Sequence, residues 1–260
     1  MVKLKTNDEI ETMKKSCRLA AAVLTFIEPH VKAGVTCLEL NDLCHDFIVK
    51  NKAIPSPLNY KGYPKSICTS VNQVVCHGIP DKYVLKEGDI VNVDITTFFE
   101  GFHGDTSKTY GVGKTSRAAR DLMQASLDSL WLGIRAIQKT GYTGDIGEAI
   151  QKHVEGKGFS IVREYCGHGI GRGFHEDPAI THYGKKGTGT AIAPGMVFTI
   201  EPMVNLGSPQ IELLDDDWTV VTRDGKLSAQ FEHTVAIREN GVEILTLQEG
   251  STDPSFLPFR

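Results

Sequence analysis

The chain has 260 residues, 40% of them apolar and 23% charged, and its 28 basic and 32 acidic side chains leave a net charge of −4. This is the composition of an ordinary globular protein, long enough to bury roughly three quarters of the surface exposed by its unfolded chain. The balance offers no electrostatic footprint for nucleic acid, the opening MVKLKTNDEIE holds no apolar signal segment, and the longest helix-like apolar run, Leu19 to Ile27, is far short of the roughly 20 residues of a membrane span. A cytoplasmic protein with no membrane or nucleic-acid partner is expected. Its six cysteines form no CxxC pair, so reduced, mostly buried thiols are expected rather than disulfides or a zinc site.

Thr6 and Glu9 have the form of a capping box, and Ile10, Met13, Cys17, Ala20, Leu24 and Ile27 follow at helical spacing as far as Pro29. The spacing predicts an amphipathic first helix of about 20 residues. Thr36 and Glu39 repeat the capping form before a second helix that runs to about Lys50. Pro55, Pro57, Asn59, Gly62 and Pro64 then mark an irregular segment carrying Tyr60 and Tyr63. Ile67 to Cys76 reads as a strand, a turn at Asn72 and a second strand. A hairpin follows in GDIVNVDITTFFEGFHGDTSKTY, and Ser116 to Gln138 reads as a third helix. A fourth begins around Asp145 and Glu148 and ends near Gly156 to Gly158. Phe159 to Val162 is a short strand that leads into the glycine-rich REYCGHGIGRGFHEDP. Three strand-like runs close the chain: Met196 to Ile200, Trp218 to Val221 and Phe231 to Ile237. The last ten residues, with Pro254 and Pro258, are expected to be an irregular tail.

Gly34, Thr36, Gly88 and Asp94 each have a like residue 107 positions later, at Gly141, Thr143, Gly195 and Glu201. The repeated order of Gly-x-Thr, helix, glycine and strand-embedded acid suggests a duplicated helix-plus-sheet unit, with halves of about 30–115 and 138–240 and one site between them.

Asp94 interrupts an aliphatic strand, and no Lys or Arg lies between Asp89 and Asp105. A carboxylate in such a place is unfavourable by several kcal/mol, of order, unless positive charge compensates it. Glu201 in VFTIEPMV and Glu232 in SAQFEHTVAI are acids in equally apolar strands. Any single one could serve as a structural partner. Four that converge cannot all stay ionised without two divalent cations' worth of positive charge, whereas two could alternatively share a proton, as in a metal-free acid-paired hydrolase. His168, set among glycines in CGHGIG, fits as a nitrogen ligand. Five ligands for two ions, rich in oxygen with one imidazole, suit manganese, iron(II), cobalt or zinc.

Over nearly the whole chain, from Thr6 to Leu247, these segments resemble the type I methionine aminopeptidases of the bacterial short form. The resemblance runs through NYKGYPKSICTSVNQVVCHGIP, GDIVNVDIT, GFHGDTSKTY, REYCGHGIGRGFHEDP, FTIEPM and WTVVTRDGKLSAQFEHT. It implies an α+β pita-bread fold of two pseudo-symmetric halves in a single catalytic domain, 1–250, followed by a tail, 251–260. The activity implied is release of N-terminal methionine from nascent proteins and peptides with a small second residue, by a monomeric enzyme that makes at most a transient contact with the ribosome. By the family's pattern Asp94, Asp105, His168, Glu201 and Glu232 hold the metals. Glu201 also moves the proton, His175 stabilises the oxyanion and His77 contacts the scissile nitrogen. The methionine pocket is matched by Tyr60, Tyr63, Cys68, Phe174 and Trp218, a soft aromatic wall suited to a thioether. Many bacterial relatives carry a cysteine where this chain has Pro57. The alternatives from the same resemblance are a proline-specific metallopeptidase of the aminopeptidase P or prolidase type, which usually adds a large N-terminal domain, and a non-catalytic pita-bread binding protein, which would have lost metal ligands. With the first helix so near the start, neither the zinc finger nor the basic arm of some larger relatives is expected.

Overall fold

The computed structural model describes residues 1–259. Helix α1 (Asn7–Ile27) starts at Thr6 with the expected reciprocal cap. Thr6 accepts from the Glu9 amide while Glu9 reaches back to the Thr6 amide. Helix α2 (Cys37–Lys50) starts in the same way at Thr36 and Glu39. After a two-residue strand β1 (Ile54–Pro55) come β2 (Cys68–Val71) and β3 (Val74–Cys76), joined at Asn72 with its φ of 54°. The long hairpin β4 (Ile90–Phe99) and β5 (Phe102–Gly111) turns at Glu100 and Gly101, both with positive φ. β4 also pairs with β1 and β2. α1 packs across this sheet, and Gly104 is required there. A Cβ on it would strike the α1 backbone at Ser16 and Cys17.

The second half begins with α3 (Arg117–Arg135) and α4 (Thr143–Gly156). α3 ends three residues before the expected Gln138. α4 starts two residues before Asp145, whose carboxylate accepts from the Tyr142 amide at the helix entrance. Then follow β6 (Ser160–Ile161), β7 (Gly167–Gly169), β8 (Glu176–Ile180), β9 (Val197–Ile200) and β10 (Met203–Asn205). β11 (Ile211–Leu213), β12 (Val220–Thr222), β13 (Ser228–Gln230), β14 (His233–Arg238), β15 (Gly241–Ile244) and β16 (Phe256–Pro258) complete the chain. The main sheet here is β16-β15-β14-β9-β7-β8. No helix among the described residues is long and apolar enough to cross a membrane.

Two expectations need correction, and the glycine-rich stretch holds structure that the sequence reading does not assign. The tail is not irregular, because Phe256–Pro258 pairs with Gly241–Glu243 as an edge strand. Proline is tolerated on such an edge because its missing N–H faces away from the ladder. The glycine-rich stretch holds two strands: Gly167 and Gly169 let β7 press against the backbones of Thr199 and Asp177, where a Cβ would collide. Trp218 and Thr219 precede their strand instead of opening it, since the Asp216 carboxylate accepts from both their amides in a turn.

The duplication is visible in the backbone. Gly88 donates to Val112 and Val112 to Asp89 at 2.9 and 2.8 Å, and Gly195 donates to Ile237 and Ile237 to Met196 at the same distances. Both glycines have φ near 90°, a conformation that suits glycine. The halves meet along a seam of threonines. Thr106 Oγ1 donates to Glu232 O, Thr109 Oγ1 to Gln230 O, and Thr234 Oγ1 to Asp105 O. Each half keeps its own apolar core, one around Leu24, Leu40, Ile67 and Val93, the other around Leu122, Ile150, Phe198 and Val235.

Candidate metal centre and active site

Register places the first two acids. On β4, Asp94 and Thr96 share a face, and Asp105 on β5 lies opposite Thr96, which makes the two carboxylates diagonal neighbours. Thr96 Oγ1 donates to Asp105 Oδ1 at 2.7 Å. Glu232 arrives just before β14, fixed by its amide to Ser107 O at 3.1 Å. Asp94, Asp105 and Glu232 each offer a carboxylate oxygen, and these oxygens lie within 4.8 Å of one another. Glu201 follows the end of β9, and His168 sits in β7 with its Nε2 3.7 Å from both Asp105 Oδ2 and Glu201 Oε1.

A separation of 3.7 Å is too long for a hydrogen bond. It is close to the spacing of two donors around one shared ion with bonds of about 2.1 Å. Among the described residues no lysine or arginine forms an ion pair with any of the four acids. With nothing positive between them, the acids hold on to protons. Burial pushes Asp94 up to about 7. Burial, aided by the Asp94 charge and resisted by hydrogen bonds from Thr199 and Gln230, puts Glu201 at about 8. Asp105 and Glu232 are raised well above the carboxylate range by burial and then by each other's neighbours. His168 is depressed by burial, which leaves its imidazole free to act as a ligand. An oxygen-rich set with one neutral imidazole, no basic partner and a surplus of buried acid fits divalent cations.

Several supporting groups were not legible as site residues. Thr199 Oγ1 accepts from the His168 amide at 2.9 Å and donates to Glu201 Oε1 at 2.7 Å, tying two of the five together. Gln230 Nε2 donates to Glu201 Oε2, and the fully buried His182 accepts the Glu201 amide at Nε2. Their only sequence signal is a polar residue inside a strand-like or turn-like apolar run, which many structural residues share.

These groups form one end of a cavity of about 350 Å³ that reaches all five acids and imidazoles as well as His77, His175, Tyr60, Tyr63, Cys68, Phe174 and Trp218. Every site residue expected from the sequence therefore lies on a single cavity, and Pro57 lines it too. His77 is held in the left-handed region at φ 56°, a strained conformation for a non-glycine residue. The next residue, Gly78, is pinned by Tyr63 Oη, which donates to its carbonyl at 3.0 Å. Phe174 stacks on His175 at 4.3 Å, Tyr60 Oη is 2.9 Å from His175 Nδ1, and His175 is 4.2 Å from the His168 ring. Burial is the main cause that depresses His77 to about 4 and His175 to about 3, so both rings are neutral near pH 7. All six cysteines are free, Cys68 and Cys76 buried in the cavity wall.

The model of metallopeptidase family M24 matches residues 11–239. Fold, ligand geometry and match agree, and the chain belongs to metallopeptidase family M24. Methionine aminopeptidase of Escherichia coli strain K12 is 52% identical over 258 residues, 98% of either chain. The crystal structure of methionine aminopeptidase from Rickettsia prowazekii superposes with a TM-score of 0.94 at 51% identity, covering 95% of this chain and all of that one. Within the family the chain is of the type I methionine aminopeptidase branch. Prolidase from Pyrococcus furiosus shares the fold at a TM-score of 0.76, but at 21% identity and over 66% of its own length.

Proposed function

We propose that this methionine aminopeptidase removes the first methionine of newly made polypeptides by metal-dependent hydrolysis, favouring a small second residue. The observation that carries the reading is the meeting of four buried carboxylates and one imidazole at the end of a cavity walled by Tyr60, Tyr63, Cys68, Phe174 and Trp218. Asp94, Asp105, His168, Glu201 and Glu232 would hold two divalent ions, of manganese, iron(II), cobalt or zinc. When bound, the cations activate water and polarise the carbonyl of the scissile bond.

The chain's own groups do the rest. The aromatic walls and Cys68 take the methionine side chain, excluding water and giving its sulfur ring contacts. Glu201, placed by Thr199, Gln230 and the His182 contact to its amide, accepts the proton of the attacking water and returns it to the departing amine. His175 is neutral, and with Tyr60 Oη donating to its Nδ1, 2.9 Å away, its Nε2–H would be the donor for the carbonyl oxygen as negative charge grows there. His77 holds the scissile nitrogen or the backbone of the second residue. Its ring meets Tyr165 edge to face at 5.5 Å, and crowding by this pair favours a small second side chain. Six free thiols suit a reducing compartment, which supports a cytoplasmic site of action.

The test is product mass after incubation of chelator-treated protein with Mn(II), Fe(II) or Co(II) and the peptides Met-Ala-Ser, Leu-Ala-Ser and Ala-Pro-Ser. Methionine release restored by metal is the expected result. Cleavage of Ala-Pro-Ser alone would replace this reading with the proline-specific one, and bound metal without cleavage would make the protein a binding module.

A further inference from the structure

Lys5 is the one lysine buried among the described residues. Its amine lies 2.8 Å from Glu176 Oε2, and the two side chains are only 6% and 4% exposed. Lys3 also approaches Glu176, at 3.6 Å, but is 69% exposed and contributes little through solvent. Removing two charges from water is unfavourable by several kcal/mol per ion, of order, and an apolar pair of similar volume is often at least as stable. A buried pair with no ligand beside it is therefore better explained by what it holds than by what it adds to stability.

What it holds is the loop that bears two site residues. The Lys5 amide donates to Gly195 O at 2.7 Å, anchoring the lysine to the turn that enters β9. Glu176 Oε1 accepts the Gly173 amide at 2.9 Å. Gly171 passes so close that a Cβ would collide with the Lys5 side chain, and its carbonyl accepts the His103 amide at 2.8 Å. The chain from Gly171 to Gly173 is thus wrapped on the ammonium–carboxylate pair. Phe174 leaves that wrap directly, stacked between His103 at 5.3 Å and His175 at 4.3 Å.

We propose that Lys5 and Glu176 are positioning residues for the peptidase reaction: the pair clamps Gly171–Gly173 and thereby sets Phe174 against the methionine side chain and His175 against the carbonyl. This rests on the roles given to Phe174 and His175 above. Lys5 and Glu176 touch neither substrate nor metal, and they act through the loop alone.

The test compares K5M and E176Q with the parent, all as Mn(II)-loaded full-length protein cleaving Met-Ala-Ser. Three readouts are taken: kcat and KM, the Mn(II) Kd, and hydrogen exchange of the 170–176 segment. K5M keeps the length of the side chain and removes its charge. The expected result is a loss of tenfold or more in kcat, a KM raised severalfold, exchange of the loop amides tenfold faster, and a Mn(II) Kd within twofold of the parent. E176Q, which keeps an acceptor for Gly173, should change in the same direction by less, and it carries the same readouts should K5M not fold. In an H175A background K5M should lower kcat by less than twofold, because the group it positions is gone. Folded K5M and E176Q with a slack loop and parental kcat and KM would overturn the proposal alone, as would losses from K5M and H175A that multiply. Full activity in H175A would overturn the reading of His175 and the proposal with it.

Discussion

Acidification should empty the metal centre, and the size of the effect follows from the carboxyls that would have to give up protons. Asp94 at about 7 and Glu201 at about 8 are largely protonated at pH 6 in the metal-free protein, whereas a carboxyl that holds a cation is ionised. Between pH 8 and pH 6 the competing proton weakens apparent affinity by more than about tenfold, since Asp94 alone accounts for about that much and Glu201 acts in the same direction. Asp105 and Glu232 are raised well above the carboxylate range and add to this in the same direction. Burial lowers the His168 imidazole, so its proton competes with the cation less than an ordinary histidine's would. Titration calorimetry of Mn(II) into chelator-treated protein at pH 6, 7 and 8, in two buffers of unlike ionisation enthalpy, measures both the affinity and the protons released. More than one proton per protein should leave at pH 7. An affinity that changes less than tenfold across the two pH units, with no buffer dependence of the heat, would refute the argument. The same linkage acts on stability with the opposite sign for metal-free protein. Folded-state carboxyl values lie above the unfolded ones, so their contribution is intact below about pH 4 and is lost as pH rises through 7 and 8. Chelator-treated protein should melt lower at pH 8 than at pH 6, and excess Mn(II) should reverse that order.

Asp105→Asn removes one of the mutually repelling acids, so in chelator it should melt at or above the parent at pH 8 while binding Mn(II) at least a hundredfold more weakly; a lower melting temperature in chelator would contradict the electrostatic account. Thr199→Val severs the link between the His168 amide and Glu201 Oε1, and a drop in kcat of about tenfold with a smaller change in KM is expected, given about 1–1.5 kcal/mol for such a hydrogen bond, read by steady-state kinetics. Gly104→Ala drives a methyl into the α1 backbone, which cannot move aside as a side chain could; denaturant unfolding should show a loss of at least about 2 kcal/mol. Phe174→Ala opens the cavity wall and should raise KM for Met-Ala-Ser more than it lowers kcat.

The sequence displayed the acids because their placement violates an otherwise strong rule: charged residues do not sit unpaired in aliphatic strands. The first two helices were legible for a local reason, since Thr6 with Glu9 and Thr36 with Glu39 each form a cap from residues three positions apart. What escaped was whatever depends on a neighbour distant in the chain. β7 and β8 look like a glycine loop until Thr199 and Asp177 are seen to need the space that Gly167 and Gly169 leave. Phe256–Pro258 becomes a strand only because Gly241–Glu243 offers an edge. His182 and Gln230 support Glu201 from a separate turn and strand, Thr199 meets the His168 amide 31 positions away, and Lys5 meets Glu176 across 171 positions of sequence.

The duplicated architecture explains how so many acids can be gathered without the chain collapsing around them. Each half builds a core of its own, and two smaller apolar clusters, one joining Phe102 to Val197 and Ala236 and one joining Val75 to Met203 and Val220, hold the halves together. The acids lie where the halves face one another, and the polar backbone there is satisfied by threonines that span the junction. Asp94 and Glu201 occupy equivalent places 107 residues apart. The equivalence is not complete, and the chemistry follows from the difference. In the first half β2 sets Cys68 opposite Asp94, whereas in the second β7 brings His168 to within 3.7 Å of Glu201 and Asp105. One half thus supplies a thiol that lines the cavity, and the other an imidazole that faces the acids. A symmetric pair of strands becomes a centre with an apolar, thiol-bearing side and a side where acids and imidazole converge.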